Sequence, residues 1–286
     1  MTLYIVATPI GNLGDMTYRA VEVLKSVDLI LCEDTRTTKT LLTHYDINTK
    51  TRSFHTHSTE KERASIIELL KDGKDLALVS DAGTPCISDP GVLLVMEVRD
   101  QLPECVIVPI PGASAIITAL SASGIPASSY TFLGFLPHKK GRETLFKSMI
   151  DADMPIVFYE SVHRVEKTLA SLATHIPLRQ IVIARELTKI HETLHRCRLD
   201  EAVAWLEADD NHRRGEFVLV VEGGETPRDL VRRSQAAAQH VGANLIGVVL
   251  NKLDAQHDGY GYYSYQYDSY RQREEEEEAE KKVARG

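Results

Sequence analysis

The chain has 286 residues, 43% of them hydrophobic and 26% charged, with 17 Gly and 11 Pro. That composition supplies a packed core and excludes a collagenous or wholly disordered chain. At roughly 150 residues per domain the length allows two domains, or one large domain with a tail. Its 33 Lys and Arg against 41 Asp and Glu give a net charge of -8, and residues 1–222 alone hold 24 basic and 30 acidic residues. A uniformly basic nucleic-acid binder is thereby excluded, so contact with a polyanion falls to local clusters: Lys139, Lys140 and Arg142 in HKKGR, and Arg213 and Arg214 in HRR. The plainer reading of both clusters is a solvated loop. No apolar run approaches the roughly 18 residues of a membrane span, and Pro9 and Gly11 come too early for a signal-peptide core, so a cytoplasmic protein with no membrane partner is expected. Cys32, Cys86, Cys105 and Cys197 are isolated and suggest neither a disulfide framework nor a cysteine zinc site.

In chain order, LYIVAT (3–8) reads as a buried strand stopped by Pro9, Gly11 and Gly14. Asp15 or Thr17 then caps a helix with Ala20, Val21 and Leu24 on its apolar face. VDLILCED (27–34) is a second strand, ASIIELLKDG (64–73) a helix with its own glycine stop, DLALVSD (75–81) a third strand and VIVPIPG (106–112) a fourth. Alternation of this kind predicts a largely parallel sheet covered by helices. A second section starts near residue 120, with strands at 129–137, 155–161, 180–188 and 215–223 and helices at 165–173 and 199–206. The expected fold class is α/β: two unequal α/β lobes, 1–118 and 119–224, with a cleft between them. Residues 225–286 form an atypical tail in which ANLIGVVLNK reads as a lone strand. Six tyrosines then crowd 260–270, and a charged low-complexity end predicts disorder from about 255.

Parallel sheets bind ligands beyond the carboxyl ends of their strands. Those positions here are Pro9 to Gly14, Glu33 to Arg36, Ala82 to Gly91 and Pro111 to Ser114. In DAGTPCISDPG the glycines allow close backbone approach while Pro85 and Pro90 hold the loop in shape. Two other motifs carry less. His191-Glu192-Thr193-Leu194-His195 is a literal H-E-x-x-H, yet it follows a β-rich run without helical period, which predicts strand histidines rather than the zinc pair of a metalloprotease; no metal site is expected. G-x-G-x-x-G and the P-loop pattern are both absent.

Seven motifs, TPIGNLGD, EDTR, SDAGTPCISDPG, PIPGASA, FYESVHR, RELTK and GEFVLVVEG, fall in order between residues 3 and 223. Together they resemble the tetrapyrrole-methylase superfamily, and within it the branch that methylates a cytidine ribose 2'-hydroxyl in the decoding region of small-subunit (16S) ribosomal RNA. The resemblance implies a two-lobed homodimer using S-adenosyl-L-methionine, with 16S ribosomal RNA or the small subunit as partner. A tetrapyrrole or other small-molecule methylase is the alternative within the superfamily. Carried over residue by residue, the donor would meet Pro9, Ile10, Gly83, Thr84, Ile87, Ser114, Ala115, Phe158 or Tyr159, and Phe217. Taken singly, these glycines make turns, Ile87 and Phe217 fill a core, and Ser114 caps a helix; their clustering after strands favours the donor site. A ribose hydroxyl needs a base or an orienting group. Asp34 or Glu186 would accept the proton, or Lys189 if desolvation lowers its pKa, with Arg36 beside Asp34; the equal alternative is that Asp34 with Arg36, and Arg185 with Glu186, are structural ion pairs. The tail departs from the branch and resembles the end of a bacterial capsule-synthesis tyrosine kinase, without a Walker motif.

Overall fold

A computed structural model describes residues 1–55, 58–89 and 91–224. Five strands form a first sheet: β1 (Thr2–Val6), β2 (Leu29–Cys32), β3 (Thr51–Ser53), β4 (Leu76–Leu78) and β5 (Val106–Ile110). Their order is β3-β2-β4-β1-β5, and every pairing is parallel. Period-two alternation buries both faces. Leu3, Leu31, Leu76 and Leu78 pack on one side with α3 (Glu60–Lys71) and α4 (Val92–Gln101). Val6, Ile30, Cys32, Ala77 and Val79 pack on the other with α1 (Tyr18–Ser26) and α2 (Thr35–His44). This two-sided burial is why the strands read as unbroken apolar runs.

Local chemistry sets the helix starts. Thr17, rather than Asp15, caps α1 by accepting from the Ala20 N–H, and Asp15 ends a short 3-10 turn. Helix α3 begins earlier than the apolar pattern suggests, because Thr59 and Glu62 close a capping box. Asp34 caps α2.

The second sheet comprises β6 (Thr131–Phe135), β7 (Ile156–Glu160), β8 (Gln180–Arg185), β9 (Thr193–Arg198) and β10 (Phe217–Val221), in the order β6-β7-β10-β8-β9. Only β6 and β7 run parallel; the other three pairings are antiparallel. Ile156, Phe158, Ile181, Ile183, Phe217, Leu219 and Val221 face α6 (Arg142–Ser148), α7 (Val165–His175) and α8 (Leu199–Glu207). The intervening Val157, Tyr159, Val182, Ala184, Val218 and Val220 face α5 (Ala115–Ser123) and Ile10, which arrives from the loop after β1. Both sheets therefore belong to one compact unit, Met1–Ile125 with Tyr130–Gly223. The expected strand at 243–252 and the disorder expected from about 255 lie outside the described residues. Among the described residues no helix is long and apolar enough to cross a membrane.

Candidate active site

The chain leaves β1 toward β2 on one side, while β4 connects to β5 across β1 on the other. A crevice at the carboxyl ends of these strands follows from that change of direction. Three loops meet there. Thr8 and Gly83 exchange backbone hydrogen bonds of 2.9 and 3.0 Å, the Thr8 hydroxyl donates to the Ser80 carbonyl at 3.0 Å, and the Thr84 hydroxyl donates to the Ala113 carbonyl at 3.3 Å. Gly83 adopts φ +82°, and a Cβ there would lie 3.5 Å from Ile10 Cγ2 and 3.8 Å from the Ala113 carbonyl oxygen. Pro9, Ile10, Gly83, Thr84, Ser114 and Ala115 are thus gathered by the three loops. Ile87 stands outward, 47% exposed.

The same loop stores conformational strain. Cys86 and Ser88 have φ of +70° and +64°, a region L-residues seldom occupy and one concentrated at functional sites. Burial, opposed by a hydrogen bond from Ser80 and helped to a smaller extent by the charge of Asp81, pushes the Asp89 carboxyl above its ordinary value. Glu33 rises for the same leading reason, with Asp81 and Asp89 adding to it. Burial, with the charge of Asp89 adding to it, pushes the Tyr159 hydroxyl up to about 12. The two aspartates of SDAGTPCISDPG were visible in the sequence as acids in a glycine-rich loop, but nothing there marked Asp89 as half-buried.

Register separates Phe158 from Tyr159. Phe158 and Phe217 point into the core under α7 and α8, leaving only their backbone for a ligand. Tyr159 lies on the opposite face, edge-on to Phe132 at 5.2 Å and tilted against Phe135 at 5.3 Å.

The candidate proton acceptors are held in ion pairs. Arg36 grips Asp34 through Nε at 3.1 Å and Nη2 at 2.7 Å, and with the Arg36 N–H it lowers the Asp34 carboxyl to about 2. Glu186 accepts from Lys189 at 2.9 Å and from the Glu216 N–H at 3.0 Å. Burial alone would raise its carboxyl, but these bonds outweigh burial and hold it below the ordinary value. Lys189 corrects the expectation of a desolvated, easily deprotonated amine. Burial does act to lower it, yet Glu216 at 2.8 Å and Glu186 more than compensate and raise it. Gly11 makes room for this lysine: a Cβ at Gly11 would sit 2.5 Å from Lys189 Cγ and 3.0 Å from Thr188 Oγ1. Arg185 is likewise buried, bonded to the carbonyls of Arg214 and His191 rather than to Glu186.

The basic clusters divide. Lys139 and Lys140 are exposed. Arg142 is not available to a polyanion: its guanidinium lies 4.9 Å over the Phe146 ring, donates to the Pro137 carbonyl at 3.1 Å and to Thr168, and approaches the fully buried Glu160 carboxylate at 3.8 Å. Arg213 is shared between Glu166 and Glu207 at 3.6 Å each, and Arg214 is exposed. In HETLH, His191 occupies a turn and His195 a position on β9, so they are not one helical turn apart. His195 stacks on Trp205 at 4.4 Å, and Trp205 on His212 at 4.0 Å.

Comparison with known proteins agrees with the loop geometry. Residues 2–203 match the family of tetrapyrrole (corrin/porphyrin) methylases. The chain belongs to that family. Among its relatives, ribosomal RNA small subunit methyltransferase I of Escherichia coli O157:H7 is 47% identical over 223 residues, 77% of each chain. The protein of that name from Halalkalibacterium halodurans is 46% identical over 245 residues, 84% of this chain and 83% of its own. A solved tetrapyrrole methylase, uroporphyrin-III C-methyl transferase of Thermus thermophilus complexed with S-adenyl homocysteine, shares the fold with a TM-score of 0.54 at 14% identity, covering 78% of this chain and 97% of its own.

Proposed function

We propose that this protein is an S-adenosylmethionine-dependent methyltransferase acting on the 2'-hydroxyl of a cytidine ribose in 16S ribosomal RNA, in the decoding region of the small subunit. The observation that carries this reading is the 46–47% identity, over more than three quarters of the chain, to relatives named as small-subunit ribosomal RNA methyltransferases. The same identity favours RNA over a tetrapyrrole substrate. The donor crevice fits the reading: Gly83 offers unobstructed backbone between Ile10 and Ala113, and Ser114, at the start of α5, spends no hydroxyl on capping the helix.

When bound, the donor supplies an electrophilic methyl group. The chain's own work is to align the acceptor oxygen and exclude water. Pro9, Ile10, Gly83, Thr84, Ser114 and Ala115 hold the donor, and Tyr159 closes the crevice from the second sheet. Asp34 and Glu186 are poor proton acceptors, because their pairing with Arg36 and Lys189 favours the charged form over the protonated one. Asp89, half-buried and raised, is the better base for the ribose hydroxyl. Lys139 and Lys140 serve the RNA backbone, with Arg214. The active form is a cytoplasmic homodimer; exposed Val92, Leu93 and Met96 on α4 supply an apolar face for a second copy.

Incubating the protein with labelled S-adenosylmethionine and small subunits lacking the modification, then mapping the label, tests the reading. Label on one cytidine ribose is expected. Asp89→Asn should lower kcat about a hundredfold with donor affinity unchanged. Transfer to a tetrapyrrole and none to RNA would overturn the assignment.

A further inference from the structure

Helix α2 carries a surface that donor binding does not use. Arg36, Lys39, Thr40, Thr43 and His44 line an open groove of about 490 Å³ together with Leu13. Their spacing places them on one side of the helix, while Thr38, Leu41 and Leu42 are buried on the other. The helix sequence, TRTTKTLLTH, contains no carboxylate, in a chain whose net charge is -8.

The groove's cations are available. Arg36 is 90% exposed; it uses Nε and Nη2 on Asp34 and keeps Nη1 free. Lys39 is exposed and has no hydrogen bond or ion pair among the described residues. Thr40 and Thr43 are exposed beside it. Cations and short hydroxyls without a carboxylate match phosphate oxygens, and the one ring in the lining, the His44 imidazole, is set edge-on against Tyr45 at 4.8 Å.

Position ties the groove to the site. Leu13 belongs to the loop after β1 that supplies Pro9 and Ile10, and its carbonyl accepts the Tyr45 hydroxyl just past α2. At the other end of the helix, the Asp34 N–H donates to Asp81 of the Gly83 loop at 3.1 Å. Chain bound along α2 therefore runs toward the crevice.

We propose that the α2 groove binds the sugar-phosphate backbone of the RNA substrate flanking the methylated nucleotide, with Lys39, Arg36, Thr40 and Thr43 as phosphate contacts. This inference rests on the RNA reading above and adds a binding surface to it.

The test uses the full chain with two probes, unmodified small subunits and protein-free small-subunit ribosomal RNA. Lys39→Ala should flatten the dependence of log affinity on log salt by about 0.7 to 0.9, as one phosphate contact is lost. It should raise KM for subunits about five- to tenfold, leaving kcat and calorimetric donor affinity unchanged, and Lys39→Arg should restore the slope. Thr40→Val with Thr43→Val should weaken RNA binding without altering the slope. Unchanged slope and KM in Lys39→Ala would overturn the proposal. So would an effect seen with subunits and absent with protein-free RNA, which would assign the groove to a ribosomal protein. Methyl transfer by the parent protein with unaltered slopes refutes the groove and keeps the function. A Lys39-dependent slope without methyl transfer supports the groove and refutes the function.

Discussion

Gly215 and Glu186 form a pair whose coupling can be worked from the structure. Gly215 has φ +95°, and a Cβ there would fall 2.4 to 2.5 Å from Cγ, Cδ and Oε1 of Glu186. Gly215→Ala therefore carries two costs. The backbone cost of a left-handed L-residue is about 1–2 kcal/mol. The side-chain cost arises because Glu186 must move away, releasing the Lys189 and Glu216 N–H bonds; at about 1 kcal/mol each for a partly buried group, that adds about 2 kcal/mol. The single variant should lose about 3–4 kcal/mol, a large share of the about 5–15 kcal/mol typical of a domain, and its Tm should fall by about 6–15 °C. In a Glu186→Ala background the obstacle is gone, so adding Gly215→Ala should cost only the backbone part. Urea unfolding of the four proteins, followed by circular dichroism, should give a coupling of about 2 kcal/mol. Additivity within about 0.5 kcal/mol would refute the contact, and an unchanged Tm in Gly215→Ala would refute the backbone argument as well.

Gly83→Val should abolish donor binding measured by calorimetry while the protein stays folded, because the branched side chain combines a left-handed φ with obstruction of the Ile10 and Ala113 approach; wild-type affinity would remove this loop from the site. Lys139→Ala with Lys140→Ala should reduce the salt slope of RNA binding by about 1.5 at constant Tm, whereas Arg142→Ala should lower Tm by undoing the Glu160 network; an unmoved Tm in Arg142→Ala would return that residue to the RNA surface. Arg36→Ala should return the Asp34 carboxyl from about 2 toward its ordinary value, read by NMR titration. A depressed carboxyl contributes stability that is full above its unfolded pKa and lost as pH falls through about 2, so the parent should lose this contribution between about pH 4 and pH 2, while the variant, which lacks it at every pH, should show a shallower acid dependence over that range.

The inner strands were legible because both sheets bury two faces, which writes them as continuous apolar runs, whereas the edge strands β3, TRS, and β9, TLHRCR, are polar and carry no such run. Helix α2 was not, since five of its ten residues are threonine, a weak helix former that here gains from the Asp34 cap and from burying Leu41 and Leu42. Helix α4 begins VLLVMEV, which has no helical period of its own. In the site, glycine and proline punctuation located the loops, but choosing between Phe158 and Tyr159 needed the register against β10. Arg142 read as one more charge in a basic cluster because Glu160, Thr168 and Phe146, which claim it, are remote or unmarked in sequence.

The stack of His195, Trp205 and His212 joins β9, α8 and the 3-10 turn that follows it, and Trp205 is the chain's single tryptophan. The protein thus contains a spectroscopic probe confined to one layer. Protonated imidazole quenches indole emission, and burial together with His212 holds His195 below the ordinary histidine value, so quenching by His195 sets in on the acid side of it. Emission at mildly acid pH reports whether these three elements are stacked and is blind to the parallel sheet. In a stopped-flow refolding experiment, a lag between fluorescence and circular dichroism would time the closing of the antiparallel layer against that of the other sheet, with no label attached.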